Sequence, residues 1–75
     1  MPVESRLCWR LLKMRLEKGM TQDDVVRELQ LSGIDMSRRS YSYIETGQQI
    51  PRVNEVLALC RILSIDLLEV VASKD

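Results

Sequence analysis

Apolar positions along the chain recur at helical rather than strand spacing. In SRLCWRLLKMRLEKGM, beginning at about Ser5, the residues Leu7, Leu11 and Met14 fall on one helical face. Lys18 complements the negative end of that helix, and Gly19 suits the left-handed residue that terminates it. Thr21 is placed to cap a second helix whose first turn carries Asp23 and Asp24, with Asp24 at capping-box spacing. Val25, Val26 and Leu29 form its inner face, and the stretch QLSGID closes it with Gly33 as the stop. Ser37 caps a third helix, RRSYSYIET, in which Tyr41 and Ile44 are the apolar positions and Gly47 the stop. After the loop QQIPR, a fourth helix runs roughly from Asn54 to Leu63. It has Asn54 as a cap and Val56, Leu57, Leu59, Cys60 and Leu63 inside. Asp66 caps a short fifth helix, LLEVVAS. No alternating strand pattern survives beside these, so the expected fold is all-α.

Composition narrows this picture. A chain of 75 residues is near the lower limit at which one core folds without disulfides or metals, and the absence of Phe leaves aliphatic residues to fill the interior. Cys8 and Cys60 lie in apolar helical stretches, and with no His and no Cys-x-x-Cys spacing no metal site is expected. Both cysteines read as buried thiols. The segment MPVESRLCWR lacks the apolar run of a signal peptide, and no segment reaches the ~18 apolar residues of a membrane span. A reducing cytoplasm without membrane contact is therefore expected. An enzyme is disfavoured because no nucleophile and base pair suggests itself, and no cofactor is implied.

The net charge is zero, yet its distribution is uneven. Residues 1–52 carry nine Lys or Arg and seven Asp or Glu, whereas residues 53–75 carry two and four. Any basic surface must then be local. Arg38 and Arg39 open the third helix directly after its cap, where the helix dipole favours acids instead. Either they form a solvated charged face, or they serve an anionic partner. DNA offers such a partner two ways, because phosphates take charge contacts and guanine O6 and N7 accept a bidentate arginine. Neighbouring residues are ~100° apart around a helix, so the two arginines can do different jobs.

The ordered set Arg15, KGMTQ at 18–22, SRRSYSYIETG at 37–47, Pro51 and the closing RILSIDLLEVV resembles the Cro and phage-repressor type of helix-turn-helix domain, the XRE family, over about residues 5–71. The resemblance implies a single domain over residues 1–75 with a compact five-helix, lambda-repressor-like fold. It makes residues 38–46 the recognition helix, with Arg38, Arg39 and Tyr43 as base readers, Ser40 assisting and Ser37 at the cap. Gln22 matches the glutamine that contacts the DNA backbone and braces the recognition helix. Thr46, Gln48 and Gln49 fall near phosphates. Arg52 departs from the family, which usually has Ser or Thr after the proline, and its own charge makes it a candidate phosphate contact. Arg15 and Glu45 occupy the positions of a structural ion pair between the first and third helices. The stretch QLSGIDM lengthens the connection between helices two and three beyond the shortest form of the family.

One feature lies outside that pattern. Trp9, Leu12 and Leu16 cluster almost opposite Leu7, Leu11 and Met14 on the first helix. Two explanations stand: a distorted helix register or covering C-terminal segment, and a protein interface anchored by Trp. Ile62, Leu68 and Val71 add apolar candidates for an oligomer surface. The leading expectation is a transcriptional regulator that binds double-stranded DNA as a homodimer on a palindromic operator. The alternative is a protein-interaction module or antitoxin-type binder using the Trp9 face to hold a partner protein.

Overall fold

The computed structural model describes residues 3–72. They form α1 (Val3–Glu17), α2 (Gln22–Leu31), α3 (Arg38–Glu45), α4 (Val53–Leu63) and α5 (Leu67–Ala72), and no strand occurs among them. Helix α1 packs against α3, α4 and α5, while α2 packs against α3 and α4. Between them lies one apolar cluster that includes Leu7, Leu11, Val25, Leu29, Tyr41, Ile44, Leu59, Leu63 and Val70, with Met36 and Ile65 contributed by connections. Tyr41 is the largest fully buried side chain, filling the volume that the missing Phe residues leave to others. Burial pushes its hydroxyl well above the usual tyrosine range.

Helix ends share one device. Each of α1, α2 and α3 is followed by a glycine with positive φ, at Gly19, Gly33 and Gly47. In each case the next amide folds back onto the last turn: Met20 onto Arg15 O, Ile34 onto Leu29 O and Gln48 onto Tyr43 O, at 2.8 to 3.0 Å. This Schellman closure satisfies carbonyls that would otherwise lack partners. Helix α4 ends the same way, with Ile65 N donating to Cys60 O at 2.8 Å, but there the left-handed residue is Ser64, at φ 57. A side chain in that conformation carries a steric cost that glycine avoids.

Several expected details are corrected. Helix α4 begins at Val53, with Arg52 at its cap position and Glu55 Oε1 accepting from Arg52 N at 2.7 Å, so Asn54 lies inside the first turn. Leu57 is 56% exposed and points away from the core, whereas Ala58 is buried in its place. Ile62 is only partly buried and packs against the core, which removes it from the free apolar surface. Cys60 is buried, and burial pushes its thiol up. Cys8 is only partly buried, and its Sγ donates to Ile44 O at 3.0 Å.

Helices α1, α2 and α3 meet at Glu45. Arg15 Nε donates to Glu45 Oε2 at 2.9 Å and Arg15 Nη2 to Oε1 at 2.8 Å, a bidentate fork. Arg15 Nη1 reaches Met20 O at 3.0 Å, tying the fork to the α1 to α2 turn. Gln22 Nε2 adds a 3.2 Å bond to Glu45 Oε1 from α2. Burial alone would raise the Glu45 pKa, but the bonds from Arg15 and Gln22, with the Tyr41 hydroxyl buried nearby, outweigh it and hold the carboxyl below its ordinary value. The same carboxylate raises the pKa of Arg15.

Two outcomes are expected. Glu45→Gln strands a buried guanidinium and should destabilise the protein by about 3–5 kcal/mol, seen as a lower urea midpoint at pH 7. Because the folded pKa of Glu45 lies below its ordinary 4.5, its stabilisation is complete above that pH and is lost as pH falls through the folded value. The wild-type midpoint should therefore decline in acid more steeply than that of E45Q. Asp24, lowered by bonds from Thr21, supplies a smaller acid dependence common to both. Separately, Ser64→Gly should raise stability by roughly 1 kcal/mol by relieving the left-handed conformation, measurable as a higher urea midpoint with an unchanged slope.

Candidate nucleic-acid interface

The connection from α2 to α3, residues 32–37, sets α3 across α2. Ser37 starts α3 in extended backbone, and its Oγ accepts from Ser40 N at 3.1 Å. The cap leaves the first-turn amides at the open end of a helix that carries no acidic residue there. Arg38 and Arg39 flank that end and are both exposed. With Gln22, Ser42 and Tyr43 they line a shallow depression between the first turn of α2 and the outer side of α3.

The two arginines are held differently. Arg39 lies along its own helix, with its guanidinium carbon 5.6 Å from the centroid of the Tyr43 ring and Nε donating to Tyr43 Oη at 3.1 Å. This is an i,i+4 pair, the spacing that places side chains together on a helix surface. Arg38 leans instead toward α2, with Nε 3.6 Å from Asp23 Oδ1. Asp24 is engaged elsewhere: its carboxylate accepts from Thr21 N at 2.9 Å while Thr21 Oγ1 accepts from Asp24 N at 3.1 Å. The capping box foreseen in the sequence is thus complete.

The remaining candidate residues divide into further groups. Ser40, Gln49 and Arg52 line a second depression on the α4 side of α3, together with Asp35, Met36, Ile50 and Glu55. Two carboxylates beside one guanidinium make that side less suited to phosphate than the Arg38 and Arg39 side. Thr46 and Gln48 are exposed just past α3 and bonded to one another, Gln48 Nε2 donating to Thr46 Oγ1 at 3.0 Å. Gln22 braces α3 through Glu45 and also borders the first depression. Ser42 and Asp23 are additions that sequence reasoning missed. Ser42 sits between the recognised positions 39 and 43, so helical geometry was the available signal. Nothing in the sequence pairs residues 23 and 38.

On α1, Trp9 and Leu16 are exposed, while Leu12 is partly buried. Leu68 and Val71 are exposed on α5, and Leu31, Ile50, Val53 and Leu57 are further exposed apolar residues that the sequence did not mark. No helix among the described residues is long and apolar enough to cross a membrane.

A family model described as a helix-turn-helix domain matches residues 6–72, from the first helix through the fifth. Comparison with curated proteins and with solved structures found no match. The five-helix order, the α2 to α3 unit with its exposed arginines, and a match over most of the sequence lead to one assignment: the chain belongs to the helix-turn-helix domain family, consistent with the Cro and phage-repressor type.

Proposed function

We propose that the protein is a sequence-specific regulator that reads double-stranded DNA through the N-terminal part of α3 in the major groove. The observation that carries this reading is the pair of exposed arginines at the open end of a capped helix, beside Gln22 and Tyr43 in one depression. A guanidinium placed there meets a base edge, and the free amides of the first turn suit phosphate. Tyr43 accepts a bond from Arg39 Nε and lies beside its guanidinium before any partner arrives, which lowers the entropy lost on binding. In this reading Gln22, Thr46 and Gln48 take backbone contacts on either side, with Ser40, Gln49 and Arg52 at the periphery.

A homodimer completes the proposal. One short recognition helix covers few base pairs, and a two-fold pair presents its second helix about one DNA turn, ~34 Å, away. The described domain measures 33 × 23 × 18 Å between Cα extremes, so two copies side by side fit that spacing. Exposed Trp9 and Leu16 on α1, and Leu68 and Val71 on α5, offer apolar area for the contact. Repression by occupancy of a palindromic operator, in the cytoplasm of a bacterial or phage-infected cell, is the regulatory form this arrangement suits. A second reading draws on the exposure of Trp9, 59%, and Leu16, 61%. It makes that α1 face the seat of a partner protein, with DNA binding secondary.

Selection of bound sites from random duplexes at physiological salt should recover a palindromic motif that Arg38→Ala/Arg39→Ala loses. Each guanine-reading arginine should contribute about 1–3 kcal/mol of discrimination, and recovery of no motif would turn attention to the Trp9 face. Sedimentation at tens of micromolar should show a dimer, alone or on the selected duplex. Monomer under both conditions would rule out the two-fold arrangement.

A further inference from the structure

Asp23 is the acidic residue beside the arginines that takes no part in the capping box, although, like Asp24, it lies in the first turn of α2 where the helix dipole favours an acid. Its neighbour Asp24 closes the box with Thr21, and one such box already satisfies the start of α2. Asp23 and Arg38 are each about two-thirds exposed, and the contact between them is a single 3.6 Å approach to Nε. That is too long for a hydrogen bond, and a pair so exposed adds little to folding, although the nearby carboxylate still biases where the guanidinium lies and what anion it meets. The effect of Asp23 on folding is therefore small. Its effect on what Arg38 can bind is not.

A guanidinium has five donors in a fixed plane. With Nε turned to Asp23, the two terminal amino groups of Arg38 are left to bind a partner end-on as a fork. That fork matches guanine O6 and N7. A phosphate, by contrast, is an anion competing with Asp23 for the same guanidinium, and any phosphate that captures Arg38 comes close to an uncompensated carboxylate. The pairing thus favours a neutral base edge and penalises backbone contact, which is selectivity by a repulsive element. The chain's balanced charge fits the same scheme, since it gives little general attraction to polyanions.

We propose that Asp23 is a positioning residue that orients Arg38 for a guanine and discourages it from phosphate, an inference resting on the DNA-reading function above. Site selection and binding to a motif-free duplex should be compared for wild type, Asp23→Ala, Asp23→Asn and Arg38→Ala at several salt concentrations. Both Asp23 variants should weaken the preference for guanine at one position of each half-site by about five-fold or more, and tighten motif-free binding by about two- to five-fold. Arg38→Ala should lose the same position, and Asp23→Ala should change no base preference further in that background. Circular dichroism melts of the Asp23 variants close to wild type would separate this from a folding defect.

If wild type selects no motif, the DNA function fails and the role of Asp23 fails with it. If wild type selects a motif and the Asp23 variants keep every base preference, the positioning role alone is overturned. A lost cytosine preference that survives in Arg38→Ala would overturn it too, because Asp23 would then be contacting a base directly.

Discussion

The Glu45 carboxylate is the point on which the arrangement of helices depends. It lies at the last residue of α3, yet its partners come from α1 through Arg15 and from α2 through Gln22, with the buried Tyr41 ring beside it. A charge with 4% side-chain exposure is tolerable only because a bidentate guanidinium and an amide replace the lost water. Geometry as well as energy follows from this. The fork is planar and directional, so it sets the orientation of α3 relative to α1 more sharply than aliphatic contacts can. One end of α3 is therefore held firmly while the other, capped by Ser37, faces outward with its arginines.

The surface chemistry follows from that division. Helix α3 has eight residues and a strong separation of sides: Tyr41, Ile44 and Glu45 inward, Arg38, Arg39 and Tyr43 toward the open side. Its short length means that no position is spare, and almost every residue serves either the core or the exposed face. A neutral chain can present a basic surface here because the positive charge is concentrated rather than summed. Acidic residues nearby, Asp23 on one side and Asp35 with Glu55 on the other, confine that surface to a narrow strip.

Much of the fold was legible because its signals are local. Periodicity of Leu7, Leu11, Val25, Val26, Leu29, Tyr41 and Ile44 identified the buried faces of α1 to α3, and the glycines and caps marked their ends within a residue or two. The fourth helix was harder. It is apolar on more than one side, so periodicity could not choose between Leu57 and Ala58, and only packing against α1 and α2 showed which faces inward. Its start was misplaced at Asn54 because Glu55 reaches back to Arg52 N, a role that a search for a capping side chain at the first position overlooks. Ile62 looked free for the same reason as Leu57 looked buried.

By itself, the sequence determined the five helices, the turns that end them and the presence of two arginines at the start of α3, because each depends on residues within a few positions of one another. Family resemblance extended this to Arg15 and Glu45. Tertiary structure alone decided which apolar residues of α1, α4 and α5 stay exposed, that Gln22 binds the same carboxylate as Arg15, and that Arg38 faces Asp23 while Arg39 faces Tyr43. The last distinction shows the physical reason. Arg39 meets its partner through helical spacing, whereas Arg38 meets one 15 positions earlier in the chain, and only the packing of α2 against α3 brings the two together.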